Sequence, residues 1–360
     1  MTTPAHEAEA DRVELVYYYA LTQIGVHTID DALSLWSDVP LAGTQATSAR
    51  WLGTAVKLVM LRRSRARDLA LAYYRLVRAL RTGRTVRDPR QPRTSTVSLE
   101  TLRVEFEQIV DEVAPDPAAA NPLPERRDTD STTEPVSTVE PELKPGHDDE
   151  PIEVDEIDNL EDLADSLELE AEQEAKLVLE ALGTANLEDK VSKLDQEQPA
   201  KEVDAQSNVI HLDAGVRQAA AAERISLNAA RGFVYSVGSN DPKVVGWVRY
   251  SQTGTPCGWC AMLISRGLIF YSSAEAAQHQ GKDADEDKYH DNCHCVAVPV
   301  FSREQYEKSD LFALNREYDH LWQNGDKDRG LRARPSLTDW RRYFRRLQQE
   351  NDVPAQAAAA

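Results

Sequence analysis

The sequence predicts a mainly α-helical chain with a small α+β region near its C-terminus and a long acidic segment between the two. Three observations support this fold class. Apolar residues recur every three or four positions through much of the first 110 residues, which indicates amphipathic helices. Asp, Glu and Pro accumulate in the centre of the 360-residue chain. A β-branched and aromatic run, Val244–Tyr250, indicates a strand in the last third.

Composition divides the chain into four units. Residues 1–112 are predicted to form a helical N-terminal domain, and residues 113–207 an acidic linker. Residues 208–302 are predicted to form an α+β domain that carries every cysteine, and residues 303–360 contain the C-terminal helices. The acidic linker therefore separates two folded parts in this interpretation.

Periodicity and turn residues place the individual elements. In the first predicted helix, Gly25 is expected to break the pattern, and Gly83 is expected to end the second. An alanine-rich helix is expected to stop at Gly232. The predicted helices are 11–37, 48–81, 98–110, 216–231, 273–279, 303–323 and 337–349, with a turn leading into a short helix over 257–266, and the predicted strands are 244–250, 268–271 and 296–301.

The negative charge of the chain belongs to the linker. Between residues 111 and 204 there are 30 Asp or Glu and 7 Lys or Arg, whereas the whole chain has a net charge of −20. The remainder is therefore slightly basic. Residues 113–155 are rich in proline and are expected to be disordered. Residues 156–197 carry leucines at spacings that permit one or two amphipathic helices.

The sequence also indicates in which cellular compartment the protein is expected. It has no run of 18 apolar residues, so no membrane-spanning helix is expected. The first eleven residues are polar and acidic and lack the pattern of a signal peptide. We therefore expect the protein to remain in a reducing cytoplasm, where clustered cysteines favour metal binding over disulfides.

All four cysteines lie in one window of 39 residues, from Cys257 to Cys295. Cys257 and Cys260 are separated by two residues, so a single turn can present both thiolates to one ion. His290, Cys293 and Cys295 follow in a second short segment. These five donors compete for four positions of a tetrahedral zinc site, and the choice between Cys293 and Cys295 stays open. His294 points to the opposite side of an extended strand and is the least favoured ligand.

The same window allows other interpretations. The thiols can be without metal, can form a Cys-x-x-Cys redox pair, or can include a catalytic Cys/His pair. Two pairs of thiols fit a closed coordination shell better than a nucleophile with its base. A deaminase site would also need a His-x-Glu motif, and no such motif precedes the Pro256–Cys260 segment.

The helix at 48–81 is rich in arginine. Its basic residues are interpreted first as a solvated face. Two sharper alternatives remain, namely contact with nucleic acid and pairing with the acidic residues 140–204 of the same chain. The candidate DNA contacts are Arg62, Arg63, Arg65 and Arg67.

About 60 residues near the C-terminus carry a pattern of short segments, namely Gly246–Arg249, Pro256–Leu263, Arg266–Gly267, Tyr271–Ser273, Tyr289–Cys295 and Pro299–Phe301. The most specific part is a Cys-x-x-Cys motif followed by a His-x-x-Cys-x-Cys motif. Together these segments resemble the minor head proteins of tailed phages that infect actinobacteria, which are related to the Mu protein F-like family.

The resemblance implies a minor capsid protein that takes part in head morphogenesis. Its implied partners are the portal protein, the major capsid protein and a scaffolding protein. Its implied location is the host cytoplasm during assembly and then the virion head. Proteins of this kind are often described as capsid maturation proteases, which is the alternative function. Ser265 and Ser272 near His290 are candidates for such chemistry by proximity in sequence alone, so the chain is expected not to be an enzyme.

Overall fold

A computed structural model describes residues 3–41, 45–114, 151–157, 160–195, 197–251, 256–268 and 295–352. These parts of the chain are mainly helical with a small amount of sheet, which confirms the coarse fold class. The helices are α1 (Pro4–Ser37), α2 (Gln45–Thr82), α3 (Leu99–Val113), α4 (Leu160–Leu182), α5 (Thr184–Ser192), α6 (Ala200–Asn240), α7 (Gly258–Ile264), α8 (Arg303–Lys308), α9 (Ala313–Asn324) and α10 (Leu337–Asp352). The strands are β1 (Arg84–Val86), β2 (Thr96–Val97), β3 (Ile152–Asp155), β4 (Gly246–Ser251) and β5 (Cys295–Val300).

Three long helices, α1, α2 and α6, pack along one another and build the main core. Aromatic side chains connect this core to the C-terminal sheet. The ring of Tyr17 on α1 stacks on that of Tyr73 on α2 with centroids 3.9 Å apart. Tyr18 stacks on Tyr250 of β4 at 4.8 Å. The predicted N-terminal domain and the predicted α+β domain therefore share one hydrophobic core.

Two glycines, Gly25 in α1 and Gly215 in α6, lie inside helices and leave space for a side chain of the neighbouring helix. α1 continues through Gly25, where the sequence predicted a break. A Cβ at this position would lie only 2.9 Å from Oε1 of Glu223 on α6, so the glycine makes room for α6. At Gly215 a Cβ would lie 2.4 Å from the ring of Trp36, whose Nε1 donates to the carbonyl of His211 at 2.9 Å. The missing side chains allow α1 and α6 to approach closely.

α6 is much longer than the predicted helix at 216–231. It spans 41 residues and continues past Gly232. The expected boundary between residues 207 and 208 thus falls inside a helix. Many of its residues are alanines buried against α1 and α2, so tertiary packing outweighs the weak helix preference of a single glycine.

Part of the acidic segment is folded onto the rest of the molecule. β3, inside the range expected to be disordered, pairs in parallel with β1 and antiparallel with β2, giving the strand order β1-β3-β2. α4 and α5 are the amphipathic helices that the leucine spacing permitted. Ala175 and Leu179 of α4 are fully buried in a second core. The remainder of the range expected to be disordered, residues 115–150, lies outside the described residues.

The C-terminal part contains a two-stranded antiparallel sheet and an aromatic cluster. β4 pairs with β5 from Gly246 opposite Val300 to Ser251 opposite Cys295. Trp340 of α10 is fully buried in a cluster that α7, α9 and α10 form together. The helix expected at 303–323 is divided into α8, which Ser302 caps, and α9, because a 3-10 turn, Asp310–Phe312, capped by Ser309, lies between them.

Two predicted elements of the C-terminal part cannot be compared with the described residues. The predicted helix at 273–279 and nearly all of the predicted strand at 268–271 lie outside the described residues. Among the helices that are described, none is long and apolar enough to cross a membrane.

Candidate metal centre

Cys257 and Cys260 lie at the start of α7. Cys257 is the N-cap residue, and its Sγ accepts a hydrogen bond from the backbone N–H of Cys260 at 3.5 Å. Pro256 precedes this turn, and Gly258 lies within it. Cys260 is buried, with 1 % of its surface exposed, whereas Cys257 is half-buried. The Cys-x-x-Cys spacing therefore produces the single turn that the sequence predicted.

Cys295 approaches the same place from a different part of the chain. It is the first residue of β5, and it faces Ser251 across the sheet. Its side chain is buried and packs in one cluster with Cys260, Cys257 and Trp259. The fold thus gathers three of the five candidate ligands, from segments separated by more than 30 residues.

A buried arginine, which the sequence analysis did not single out, contacts this cluster. Arg249 lies on β4 and has no exposed surface. Its Nη2 donates to Sγ of Cys260 at 3.6 Å, and its carbonyl accepts from Nδ2 of Asn315 at 2.7 Å. A guanidinium favours a sulfur that carries negative charge, which is the form in which cysteine binds metal ions. The available signal was a charged residue inside the apolar run Val244–Tyr250.

The remaining candidate ligands, His290 and Cys293, lie outside the described residues, as does His294. Within the part of the chain that the structure describes, no group of three or more His, Cys, Asp or Glu side chains is arranged to hold a metal ion. The four-ligand zinc site consequently stays a prediction. The described half of it consists of packed thiols at a strand end and a helix start.

Of the two candidate serines, the structure describes only Ser265. Ser265 is buried, and its hydroxyl donates to the carbonyl of Met262 at 2.7 Å, as a serine that closes the end of a helix does. Ser272 lies outside the described residues, together with His290.

Two of the four arginines proposed as DNA contacts on α2, Arg62 and Arg63, contact acidic side chains of the same chain. Arg62 pairs with Asp31 of α1. Arg63 donates through Nε and Nη2 to the two carboxylate oxygens of Glu168, at 3.0 and 3.1 Å, and through Nη1 to the carbonyl of Ile225. Arg65 and Arg67 are half-buried.

Three further arginines of α2 are buried in ion pairs. Arg78 donates to both carboxylate oxygens of Asp241, at 2.6 and 3.0 Å, and to Asp155 of β3 at 2.7 Å. Arg75 pairs with Glu105, and Arg81 pairs with acidic residues of α1. Glu168 and Asp155 belong to the acidic segment, so intramolecular pairing, one of the two alternatives for this helix, is present in the structure.

Comparisons with known proteins point to bacteriophages. The family model described as VG15 protein matches residues 164–321, which include the three packed cysteines. The gene 15 protein of Mycobacterium phage L5 is 32 % identical over 135 residues, covering 29 % of this chain and 45 % of the relative. The gene 15 protein of Mycobacterium phage D29 is 30 % identical over 102 residues, covering 22 % of this chain and 37 % of the relative.

Both matches cover only part of this chain and part of each relative. The chain spans less than half of the length of both relatives, and no solved structure matches it. The names of the relatives specify neither a head role nor an activity. What the comparisons support is that this chain is a phage-encoded protein.

Proposed function

We propose that this protein is a minor head protein of a tailed phage, which assembles with the portal and major capsid proteins and carries a structural zinc site. The head role rests on the resemblance of residues 246–301 to phage minor head proteins, and the similarity to gene 15 proteins supports the phage origin. The zinc site rests on one observation, the packing of Cys257, Cys260 and Cys295 against one another from two separate segments.

The chemistry of the donors favours zinc. Thiolates bind Zn²⁺ in closed, four-coordinate structural sites, and a histidine often completes such a shell. Three thiolates and one neutral imidazole around Zn²⁺ carry a net charge of −1. The buried guanidinium of Arg249 beside Cys260 compensates this charge, which would otherwise be costly to bury. In this proposal His290 provides the imidazole, and Cys293 and Cys295 compete for the last position.

The site would stabilise the C-terminal part of the fold. Metal binding contributes directly to folding free energy when the ligands come from separate segments. Here the ion would join the start of α7 to the start of β5.

Metal analysis of the purified full-length chain tests the zinc site. We expect one zinc per chain, and we expect Cys257→Ser and Cys260→Ser to lose the metal and to melt at a lower temperature. Comparing Cys293→Ser with Cys295→Ser identifies the fourth ligand. His320→Ala, which changes an exposed histidine outside the window, should keep the metal. A metal-free wild-type chain whose melting temperature does not respond to a chelator would contradict the site.

Quantitative mass spectrometry of purified virions tests the head role independently. We expect the protein in the particle at a small fraction of the copy number of the major capsid protein, and recovered together with the portal. Its absence from both virions and procapsids would refute the role, whatever the metal analysis shows.

The protease alternative lacks comparable support in the described residues, since the hydroxyl of Ser265 donates to a helix carbonyl, and Ser272 and His290 lie outside the described residues. Co-expression with the major capsid protein would reveal any processing.

A further inference from the structure

The C-terminal helix α10 carries both buried aromatic residues and exposed arginines. Trp340, Tyr343 and Phe344 are buried in the aromatic cluster. The arginines occupy the positions between these buried residues, and one of them, Arg341, also lies over the ring of Trp259 on α7, 5.6 Å from its centroid. All four arginines are exposed, namely Arg341, Arg342, Arg345 and Arg346.

The loop before α10 adds further positive charge to the same region. Between residues 327 and 346 there are eight basic and two acidic side chains, and all ten are exposed. The nearest carboxylates contact their arginines only loosely: Asp326 lies 3.7 Å from Arg329, and Asp339 lies 3.6 Å from Arg342. Arg342 and Asp339 are both exposed, and an ion pair of that kind contributes little to stability, whereas the side chain of Asp326 is largely covered.

Hydrogen bonds hold this loop in one conformation against α10. Asp326 and Leu331 exchange backbone hydrogen bonds of 2.9 and 2.7 Å, which closes a tight turn. The hydroxyl of Tyr343 on α10 donates to Oδ2 of Asp326 at 2.8 Å. Nη2 of Arg346 donates to the carbonyl of Arg329 at 3.2 Å. The loop and the helix therefore present their cations as one fixed surface.

One loop residue is held in a strained conformation. Arg334 has a φ of 48°, in the left-handed region that a residue with a Cβ seldom adopts. Its backbone N–H donates to the carbonyl of Trp322 at 2.7 Å, and its Nε donates to Oε1 of Gln323 at 3.2 Å. These bonds offset the strain of the left-handed conformation and keep the arginine on the basic surface.

We propose that residues 327–346 form a binding surface for the phosphate backbone of double-stranded DNA. Arginine forks match phosphate oxygens, and phosphate contacts do not depend on base sequence. The surface has no apolar anchor of the kind that protein interfaces need: among the described side chains of 303–352, no large hydrophobic residue is exposed. Strong positive charge without such an anchor is typical of nucleic-acid interfaces.

The net charge of the chain does not oppose this inference. The negative charge is concentrated between residues 111 and 204, and the Debye length at physiological salt is about 8 Å. A local surface of excess charge +6 can therefore bind phosphate in a chain of net charge −20. The inference does not rest on the proposed zinc site, but Arg341 contacts Trp259 beside the cysteines, so the zinc content of the variant described below is measured as well.

Fluorescence anisotropy of the full-length protein with a labelled random-sequence duplex of about three helical turns tests the surface. We expect binding that weakens steeply between about 50 and 200 mM salt. The variant R341Q/R342Q/R345Q/R346Q should bind at least tenfold more weakly. Its salt slope should fall by about 0.9 for each phosphate that the variant no longer neutralises.

A matched control removes four positive charges elsewhere. K176Q/K193Q/K201Q/K308Q changes exposed lysines on α4, α6 and α8 and in the segment that follows α5, and it should keep the wild-type salt slope. Thermal melts confirm that both variants fold. Equal losses in the two variants, or no binding by the wild-type chain at low salt, would overturn the proposal. Competition by poly-glutamate as effective as that by unlabelled DNA would also overturn it and would assign an acidic protein partner.

Discussion

Two arginine-rich helices of this protein use the same side chain in opposite ways. On α2, Arg75, Arg78 and Arg81 are buried and paired with carboxylates from distant parts of the chain. On α10, Arg342 and Arg345 are exposed. The difference follows from position, since α2 is packed against α1, α3, α4 and α6, whereas α10 rests on a small aromatic cluster.

The contrast separates structural from functional charge. A buried guanidinium must keep its partners, because desolvation makes an unpaired charge very costly. An exposed guanidinium contributes little to folding and is available to a ligand. The arginines of α2 therefore join the acidic segment and α1 to the core, whereas those of α10 form a surface. Substitutions in the two helices should separate these roles.

The largest expected effect is on Arg78. Arg78→Ala should lower the free energy of unfolding by about 3–5 kcal/mol, because the buried Asp241 and the hydroxyl of Tyr74 that donates to it lose their cationic partner. Urea denaturation monitored by circular dichroism measures this change. Arg345→Ala on α10 should change stability by less than about 0.5 kcal/mol. Similar losses in the two variants would show that burial does not distinguish the helices.

The sequence predicted the arginine helix but could not select the partners of its arginines. Pairing with the acidic segment was one of several alternatives, and Glu168 and Asp155 fit it. Asp241 did not belong to that segment, and it lies 163 residues from Arg78. Charge along a chain identifies helices that can pair, whereas the identity of each pair depends on the tertiary packing of α2 against α6.

The cysteine site was predictable where its geometry is local. Two residues between Cys257 and Cys260 determine one turn, and the structure has that turn. Cys295 was found through the clustering of cysteines in sequence. Arg249 was missed because nothing in its spacing connects it to Cys260, and only strand β4 brings the two together. The basic surface of α10 was missed because its arginines are adjacent in sequence to buried aromatic residues.

The second effect concerns pH. Burial raises the pKa of Glu14 on α1 to about 7, although Arg81 opposes this shift. A carboxyl whose folded-state pKa is raised stabilises the fold fully below its ordinary value near 4.5, and this contribution is lost as the pH rises through about 7. Wild-type stability should therefore fall relative to Glu14→Gln between pH 5 and pH 7, by up to about 1.4 kcal/mol per pH unit.

Melting temperatures of the wild type and of Glu14→Gln over this pH range test that effect. Glu304→Gln, which changes an exposed carboxylate on α8, provides a control that should follow the wild type between pH 5 and pH 7. Parallel curves for wild type and Glu14→Gln would mean that Arg81 keeps Glu14 ionised, and this part of α2 would then be a fully charged network.

A smaller effect is expected where α4 packs against α2. Glu168→Ala should cost about 1–3 kcal/mol, because it leaves the buried Arg63 without its two-bond partner. Glu170→Ala on the same helix changes an exposed carboxylate and should cost less than about 0.5 kcal/mol. Urea denaturation measures both. Equal costs would indicate that the acidic segment packs through its apolar residues alone.

The smallest effect tests whether the surface of α10 depends on the fixed loop before it. Tyr343→Phe removes the hydroxyl that donates to Asp326, a bond that lowers the pKa of Asp326, while burial raises the pKa of Tyr343 to about 12. We expect a loss of about 1 kcal/mol in stability. DNA affinity should fall by about two- to fivefold with an unchanged salt slope, because every cation remains but the loop is less ordered. Tyr19→Phe removes a tyrosine hydroxyl on α1, outside this surface, and is the control that should keep the wild-type DNA affinity. A reduced slope in Tyr343→Phe would mean that fewer phosphates are neutralised, and undiminished affinity would mean that the arginines of α10 act without the loop.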